Sequence, residues 1–125
     1  MDKTTKKTVI VGASTNPSRY AFMAAERLVD NHHEIVPIGV KSGEVSGKSI
    51  LDIGSKPLIE EVDTITLYIG PQHQKEHYEY LLSLKPKRVI FNPGTENAEF
   101  EKKVEESGAE ALEACTLVML STGQY

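Results

Sequence analysis

The sequence has few of the features that mark secreted or membrane proteins. Its 125 residues include one cysteine, Cys115, and no tryptophan. One thiol cannot form a disulfide within the chain, which fits the reducing cytosol and predicts a cytoplasmic protein. No apolar run approaches the roughly 18 residues of a membrane-spanning helix. The apolar run near the N-terminus, about four residues long, is too short for the core of a signal peptide.

Positive charge is also scarce. The chain carries 14 Lys and Arg against 18 Asp and Glu, which gives a formal net charge of −4. Residues 1–62 hold eight groups of each sign, whereas residues 63–125 hold six basic and ten acidic groups. A protein that binds nucleic acid or an anionic membrane presents a basic patch, and this sequence shows none. A compact anionic ligand held by a few local groups remains compatible with these charges.

The length restricts the domain organisation. With 39% hydrophobic and 26% charged residues, the composition is that of an ordinary soluble domain able to bury a core. An enzyme that pairs a nucleotide-binding domain with a separate substrate domain needs roughly twice this length. We therefore expect a single domain over residues 1–125, in which any catalysis would depend on a partner subunit.

Short apolar runs alternate with amphipathic stretches along the chain. Continuous runs such as Thr8–Val11 and Arg88–Phe91 are typical of strands buried on both faces of a parallel sheet. Further strands are predicted at residues 34–38, 64–69 and 110–114, helices at residues 18–30, 73–84 and 97–107, and one short strand near residues 48–50. This alternation predicts an α/β fold, a parallel sheet of about five strands flanked by helices.

Ligands of parallel sheets bind beyond the carboxyl ends of the strands, which here are the loops at residues 12–20, 39–41, 70–73 and 92–94. The first loop, after Gly12, is the most informative. A strand, a glycine and a helix in succession let the backbone approach a phosphate, and Arg19 adds a cation. The loop matches neither GxGxxG nor GxxxxGK[ST]. We expect it to hold an anion; a plain capped turn is the alternative.

The end of the second predicted strand separates two classes of nucleotide. An NAD-binding unit places an acidic residue there to bind the ribose hydroxyls, whereas this chain has Gly39-Val40-Lys41. A lysine suits a ribose that carries a phosphate. Lys41 therefore favours NADP, or the 3′-phospho-ADP part of coenzyme A (CoA), over NAD and FAD. A solvated loop lysine remains the alternative.

These segments together resemble those of small stand-alone CoA-binding proteins. The resemblance covers about residues 7–120 and rests on VIVGASTNPSRY, GEVSGKSI, NPG and the single cysteine. That family shares a three-layer Rossmann-like domain with the CoA-binding end of succinyl-CoA synthetase α subunits. The resemblance implies a CoA phosphate site built from Gly12, Ala13, Ser14, Asn16, Ser18 and Arg19. It implies that Lys41 lies near the adenosine and that the pantetheine path is lined by Gly70, Asn92, Pro93 and Gly94.

The remaining reactive side chains point to no complete catalytic site. Cys115 follows a predicted strand end and would face the ligand, although a buried apolar role is the alternative. His73 and His77 have i, i+4 spacing but no third ligand, so no metal site is predicted. Ser14 lacks the GxSxG elbow of a hydrolase. No catalytic residue is predicted either.

The sequence thus predicts a CoA or acyl-CoA binding protein that is non-catalytic or regulatory. Two alternatives stay open: an NADP- or acyl-CoA-dependent enzyme completed by a partner chain, and a Rossmann-like interaction module without a ligand. A small nucleotide is the expected partner. Pairing with a second copy or another subunit, through apolar surface after Cys115, also stays open.

Overall fold

The structure, a computed structural model, describes residues 5–125. Its strands are β1 (Thr8–Val11), β2 (Ile35–Gly39), β3 (Glu44–Val45), β4 (Lys48–Ser49), β5 (Leu51–Asp52), β6 (Thr64–Leu67), β7 (Arg88–Phe91) and β8 (Glu110–Glu113). The helices are α1 (Tyr20–Asp30), α2 (Tyr78–Ser83), α3 (Ala98–Glu106) and α4 (Thr116–Ser121). Six strands form one parallel sheet in the order β5-β2-β1-β6-β7-β8, while β3 and β4 form an antiparallel hairpin. The predicted α/β, Rossmann-like fold is confirmed.

The two sheet faces are covered differently because successive strand residues point to opposite sides. On one face, Val11, Leu67 and Phe91 belong to an apolar cluster with residues of α2 and α3. Phe100 of α3 packs edge-on against Phe91, with ring centroids 5.7 Å apart. On the other face, Ile10 belongs to a smaller cluster with residues of α1. The buried residues of α1 are Ala21, Ala24, Ala25 and Leu28, mostly small side chains that allow close packing.

The sheet has one more strand than the expected five. The additional strand, β5, pairs only with Ile38 and Gly39 at the end of β2. It is only two residues long and both are exposed, so it is too short to show the pattern of a buried strand. The strand predicted near residues 48–50 does exist as β4, but it belongs to the hairpin rather than to the main sheet.

The helix predicted at residues 73–84 is regular only from Tyr78 onward. The chain before it forms two 3₁₀ turns, Pro71–His73 and Lys75–His77. Between them, Gln74 is fully buried, and its Nε2 donates to the carbonyls of Ile69 at 3.0 Å and Thr95 at 2.8 Å. These hydrogen bonds hold the Gln74 side chain against the loops after β6 and β7. The backbone around it therefore forms two short turns instead of a continuous helix. Among the helices of residues 5–125, none is long and apolar enough to span a membrane.

The strand order determines where a ligand crevice lies. From β1 the chain moves to β2 on one side and then crosses to β6 on the other side. The order therefore reverses at β1, and the loops that follow β1 and β6 diverge to opposite faces of the sheet. In open α/β sheets such a reversal opens a crevice outside the carboxyl ends of the strands.

Candidate functional site

A cavity of about 480 Å³ lies at this reversal. It is lined by residues that follow β1, β2, β6 and β7, together with Ile50. The lining residues are Gly12, Ala13, Ser14, Thr15, Asn16, Arg19, Tyr20, Ala21, Val40, Lys41, Ile50, Tyr68, Gly70, Pro93, Gly94 and Thr95.

Gly12 lets the chain turn sharply at the end of β1. Its φ is +94°, and a Cβ there would lie 2.9 Å from Ile69 Cγ2 and 3.1 Å from the carbonyl carbon of Tyr68. Any other residue would therefore combine backbone strain with a steric clash. The N–H groups of Gly12 and Ala13 both donate to the carbonyl of Ile38 at 3.0 Å. This pairing fixes the start of the loop against β2.

Asn16 shapes the rest of the loop through local hydrogen bonds. Its backbone N–H donates to Ser14 Oγ at 3.0 Å. Its side-chain Oδ1 accepts from the backbone N–H of Ser18 at 3.0 Å and from Ser18 Oγ at 2.8 Å. Ser14 and Asn16 line the cavity, whereas Ser18 does not. The structure therefore gives Ser18 a part in holding the loop, and its predicted contact with a phosphate stays a prediction.

The N-terminus of α1 faces the cavity without a side-chain cap. Arg19 is the N-cap residue and makes no capping hydrogen bond with its side chain, and the first turn holds no acidic residue. The N–H groups of Tyr20 and Ala21 precede the helix hydrogen-bond ladder and have no partner in it. In the described part of the chain, the N–H groups of Ser14 and Thr15 have no acceptor either. Unsatisfied donors and the positive end of the helix dipole favour an anion here.

The charged side chains of the cavity have one sign. Arg19 and Lys41 line it, and no acidic residue occurs among its described lining. This arrangement differs from the chain as a whole, which carries a net charge of −4. Because neither cation has a carboxylate partner within the cavity, both remain available to a negatively charged ligand.

The opposite wall is held in place by Asn92. This side chain is 2% exposed. Its Nδ2 donates to Thr66 Oγ1 at 2.7 Å and to the Leu67 carbonyl at 2.9 Å, and its Oδ1 accepts from the N–H of Thr116 at 2.8 Å. Asn92 thus connects β6, β7 and α4 beneath the following residues, Pro93 and Gly94, which do line the cavity.

Tyr68 is another residue of the cavity wall. Its hydroxyl is buried and has no hydrogen-bond partner of good geometry. The neighbouring hydroxyls of Thr66 and Thr116 bond each other at 2.8 Å. Desolvation by burial raises the pKa of Tyr68 to about 12. The phenol is therefore neutral at physiological pH.

Comparison with known proteins assigns the chain to a family. Residues 6–121 match the model of the CoA binding domain family. The protein belongs to this family. The resemblance expected from the first loop is thereby confirmed. No curated protein matches the chain.

Solved structures of small proteins share the fold of this CoA-binding family member. An uncharacterized protein is 56% identical with a TM-score of 0.95, and the match covers 98% of this chain and 100% of that one. A hypothetical protein from Pyrococcus horikoshii OT3 is 25% identical with a TM-score of 0.83, covering 95% and 84%. A protein from Thermus thermophilus, cell-free ID.343, is 24% identical with a TM-score of 0.84, covering 97% and 91%, and shows the fold alone.

The structure brings most of the predicted site residues of this CoA-binding family member into one cavity. These are Gly12, Ala13, Ser14, Asn16, Arg19, Lys41, Gly70, Pro93 and Gly94. Sequence reasoning did not select several other lining residues, namely Thr15, Tyr20, Ala21, Val40, Ile50, Tyr68 and Thr95. Thr15, Tyr20 and Val40 lie within the loops predicted to bind a ligand, so they could have been selected from their positions in those loops. The place of Tyr68 in the lining depends on the direction of its side chain, and that of Ile50 depends on the geometry of the β3–β4 hairpin. The sequence reveals neither.

Cys115 lies outside the cavity lining. It is half-buried and occupies the N-cap position of α4, immediately after β8 and Ala114. Its contact with a ligand therefore stays a prediction. Within residues 5–125, no three His, Cys, Asp or Glu side chains are grouped so that they could hold a metal ion.

Proposed function

We propose that the protein binds CoA or an acyl-CoA in the cavity at the carboxyl ends of its strands, as a non-catalytic or regulatory binding protein. One observation carries the proposal: Arg19 and Lys41 stand without an acidic neighbour in the lining, beside an uncapped helix N-terminus. CoA carries a pyrophosphate and a 3′-phosphate, so it would supply anionic partners for these two cations and for the helix N-terminus.

The elements of the cavity suggest how CoA would lie. The pyrophosphate would accept hydrogen bonds from the free N–H groups near Ser14 and Thr15 and from the start of α1. Arg19 or Lys41 would bind the 3′-phosphate through charge-assisted hydrogen bonds. The pantetheine arm would pass Gly70 and Gly94, where the absence of side chains leaves room for a narrow chain.

Binding without catalysis is favoured by the chemistry of the lining. The described lining residues include no carboxylate, imidazole or thiol, so the lining holds no carboxylate or imidazole base that could activate its hydroxyl groups as nucleophiles. An NADP-dependent enzyme would also use the cations, since NADP carries a ribose phosphate. A CoA-binding protein and an NADP-dependent enzyme would therefore differ in which ligand they prefer and in whether they catalyse a reaction.

Isothermal titration calorimetry with CoA, dephospho-CoA, NADPH, NAD and ADP tests the proposal. We expect CoA to bind most tightly, and dephospho-CoA to bind more weakly because it lacks the 3′-phosphate. Tighter binding of NADPH than of CoA would overturn the CoA assignment. No binding of any of these ligands would favour an interaction module.

A further inference from the structure

Strand β6 presents polar side chains on one of its two buried faces. Its apolar residues Ile65 and Leu67 belong to the cluster with α2 and α3. On the other face, Thr66 is fully buried, and Tyr68 follows it at the same side-chain spacing. Helix α4 lies over this polar face, since the hydroxyl oxygens of Thr66 and Thr116 are 2.8 Å apart. The start of α4 is therefore attached to the sheet by hydrogen bonds.

The first turn of α4 also supports the wall of the cavity. The N–H of Thr116 donates to Asn92 Oδ1 at 2.8 Å, and Asn92 directly precedes Pro93 of the lining. Tyr68 lines the cavity as well, and its buried hydroxyl lies near that of Thr116. A displacement of α4 would therefore remove a partner of Asn92 and alter the support of two lining residues.

The chain beyond α4 is anchored at the other end of the sheet by Tyr125. Its ring packs against His33, with ring centroids 4.8 Å apart, and against the guanidinium of Arg88, 4.3 Å from its centroid. Its hydroxyl lies 2.6 Å from Thr8 Oγ1. Thr8 and Arg88 begin β1 and β7, and a four-residue strand spans roughly 13 Å. Tyr125 is thus docked at the opposite end of the strands from the cavity.

This arrangement leaves two buried groups unsatisfied. In the described part of the chain, the buried side-chain atoms without a hydrogen-bond partner are Tyr68 Oη and Arg88 Nη2. A buried unsatisfied donor disfavours the state that buries it, which offsets part of the stabilisation that Tyr125 provides. Within α4, only Thr116 and Met119 are buried. A segment with so few buried apolar contacts is expected to open locally more readily than the central strands.

We propose that α4 and residues 122–125 form a cover that opens locally, with Tyr125 as the anchor that keeps it closed. The closed cover holds Thr116 against Asn92 and so supports the wall at Pro93. The open cover releases this bond and lets water reach Arg88. A ligand that requires the closed wall favours the docked state of Tyr125, and this coupling is reciprocal. The cover stands on the contacts within the chain, whereas its coupling to CoA rests on the proposed function.

Amide hydrogen exchange tests the cover without any ligand. In the wild type, the Thr116 amide should exchange faster than the amide of Ile10 in β1, because local opening is sufficient. Tyr125→Leu should accelerate Thr116 roughly tenfold, since it removes a hydroxyl bond and a contact with a cation. Tyr80→Leu is the matched control, because Tyr80 is a buried tyrosine of α2 whose hydroxyl donates to the Pro57 carbonyl at 2.6 Å. It should accelerate Ile10 and leave Thr116 unchanged.

A milder pair of variants serves if the leucine variants do not fold. Tyr125→Phe keeps the ring and loses the contact with Thr8 Oγ1, so it should accelerate Thr116 less than Tyr125→Leu does. Tyr80→Phe should leave Thr116 unchanged. Equal exchange rates of Thr116 and Ile10 in the wild type would overturn the cover. Equal acceleration of Thr116 by the variants of Tyr125 and Tyr80, or acceleration by neither, would also overturn it.

Calorimetry with CoA tests the coupling to the cavity. Tyr125→Leu should bind CoA roughly fivefold more weakly than the wild type, and Tyr80→Leu should bind it equally well. CoA should in turn slow the exchange of Thr116 in the wild type. If CoA binds but neither the affinity of Tyr125→Leu nor the exchange of Thr116 changes, the coupling is overturned and the proposed function stands. If the wild type does not bind CoA, the proposed function and the coupling both fail, and the exchange rates still decide the cover.

Discussion

The two ends of the sheet each carry a cavity, and the two cavities differ in charge far more than in size. The cavity at the carboxyl ends of the strands measures about 480 Å³, and the cavity at the amino ends measures about 400 Å³. The first contains only basic charged side chains. The second contains both signs, and its lining consists of Thr5, Lys6, Lys7, His32, Glu34, Glu61, Asp63 and Lys87.

Two of the lysines at the amino ends lie beside carboxylates of the protein itself. Lys7 Nζ lies 3.9 Å from a carboxylate oxygen of Glu34 and donates to the Glu60 carbonyl at 2.7 Å. Lys87 Nζ lies 4.0 Å from a carboxylate oxygen of Asp63. Volume therefore does not distinguish a ligand site in this molecule. Unopposed charge and N–H groups without acceptors are the features that mark the carboxyl-end cavity as the candidate ligand site.

The largest effect on CoA affinity is expected when the cations of the carboxyl-end cavity are removed and compared with those of the amino-end cavity. Replacing Arg19 and Lys41 together by alanine should weaken CoA binding roughly hundredfold, because each charge-assisted bond to a phosphate contributes about 1.5 kcal/mol. The matched double variant, Lys7→Ala with Lys87→Ala, removes the same charge at the amino ends and should bind CoA like the wild type. Calorimetry measures both. Equal losses in the two double variants would show that net charge, rather than the cavity, governs binding.

Replacing Arg19 alone tests which phosphate group of CoA this side chain binds. If Arg19 binds the 3′-phosphate, Arg19→Ala should weaken CoA roughly tenfold and leave dephospho-CoA nearly unaffected, because dephospho-CoA lacks that group. Titrations of both ligands into wild type and variant give the comparison. Equal losses for the two ligands would assign Arg19 to the pyrophosphate instead.

Asn92 tests how the carboxyl-end loops are held. Asn92→Ala removes the partners of two buried groups, the Thr116 N–H and the Leu67 carbonyl, and should lower the free energy of unfolding by about 2 to 3 kcal/mol. Asn31→Ala is the control, because the Asn31 side chain makes one exposed bond to the Arg27 carbonyl. Urea denaturation compares them. A loss no larger than that of Asn31→Ala would contradict the positioning role.

Tyr68 predicts how stability responds to alkaline pH. Burial raises its pKa from 10 in the unfolded chain to about 12 in the folded protein. Its contribution to stability is present below pH 10 and is lost as the pH rises towards 12, by about 2 kcal/mol. Urea denaturation at pH 8 to 11.5 should show a shallower decline for Tyr68→Phe than for the wild type.

Tyr125 is the matched tyrosine near the amino ends. Its hydroxyl bonds Thr8 Oγ1 at 2.6 Å, and Arg88 lies over its ring at 4.3 Å. Burial raises the pKa of Tyr125, while the Thr8 hydroxyl and the positive charge of Arg88 oppose that rise. Tyr125→Phe should therefore change the alkaline decline less than Tyr68→Phe does. A larger change for Tyr125→Phe would reverse the comparison.

The smallest effect is expected at the ion pair of Lys87. The Lys87 side chain is 82% exposed, and exposed pairs contribute little. Lys87→Ala should change the free energy of unfolding by less than about 0.5 kcal/mol. Urea denaturation measures this free energy of unfolding, and Lys85→Ala, a substitution in the same loop, is the control. A loss above 1 kcal/mol would show that the amino-end cavity is held together by its charges.

The strands that carry the candidate site were predictable because each is a mostly buried run of strand-forming residues. β1 and β7 begin and end where the predicted runs Thr8–Val11 and Arg88–Phe91 do. β5 was not predictable, since Leu51 and Asp52 are exposed and pair with β2 only through their backbones. The turns before α2 depend on the buried side chain of Gln74, whose partners are distant in sequence.

The site was predictable as a set of loops but not as a set of side chains. Parallel strands bring their carboxyl ends together, so Gly12, Lys41 and Gly94 share one cavity as expected. Asn92 precedes Gly94 by two residues, yet it points into the protein and bonds Thr66. The side-chain direction of such a loop residue depends on tertiary partners, and local sequence does not reveal them.

Amide chemical shifts during a CoA titration test the central claim most directly, namely that the ligand binds at the carboxyl ends of the strands. At 125 residues, the chain is small enough for two-dimensional ¹H–¹⁵N spectra. The account predicts that CoA shifts the amides of Gly12, Thr15, Tyr20, Lys41 and Gly94 and leaves those of Lys7 and Lys87 unchanged. Shifts concentrated at Lys7 and Lys87, or no shifts at millimolar CoA, would contradict it.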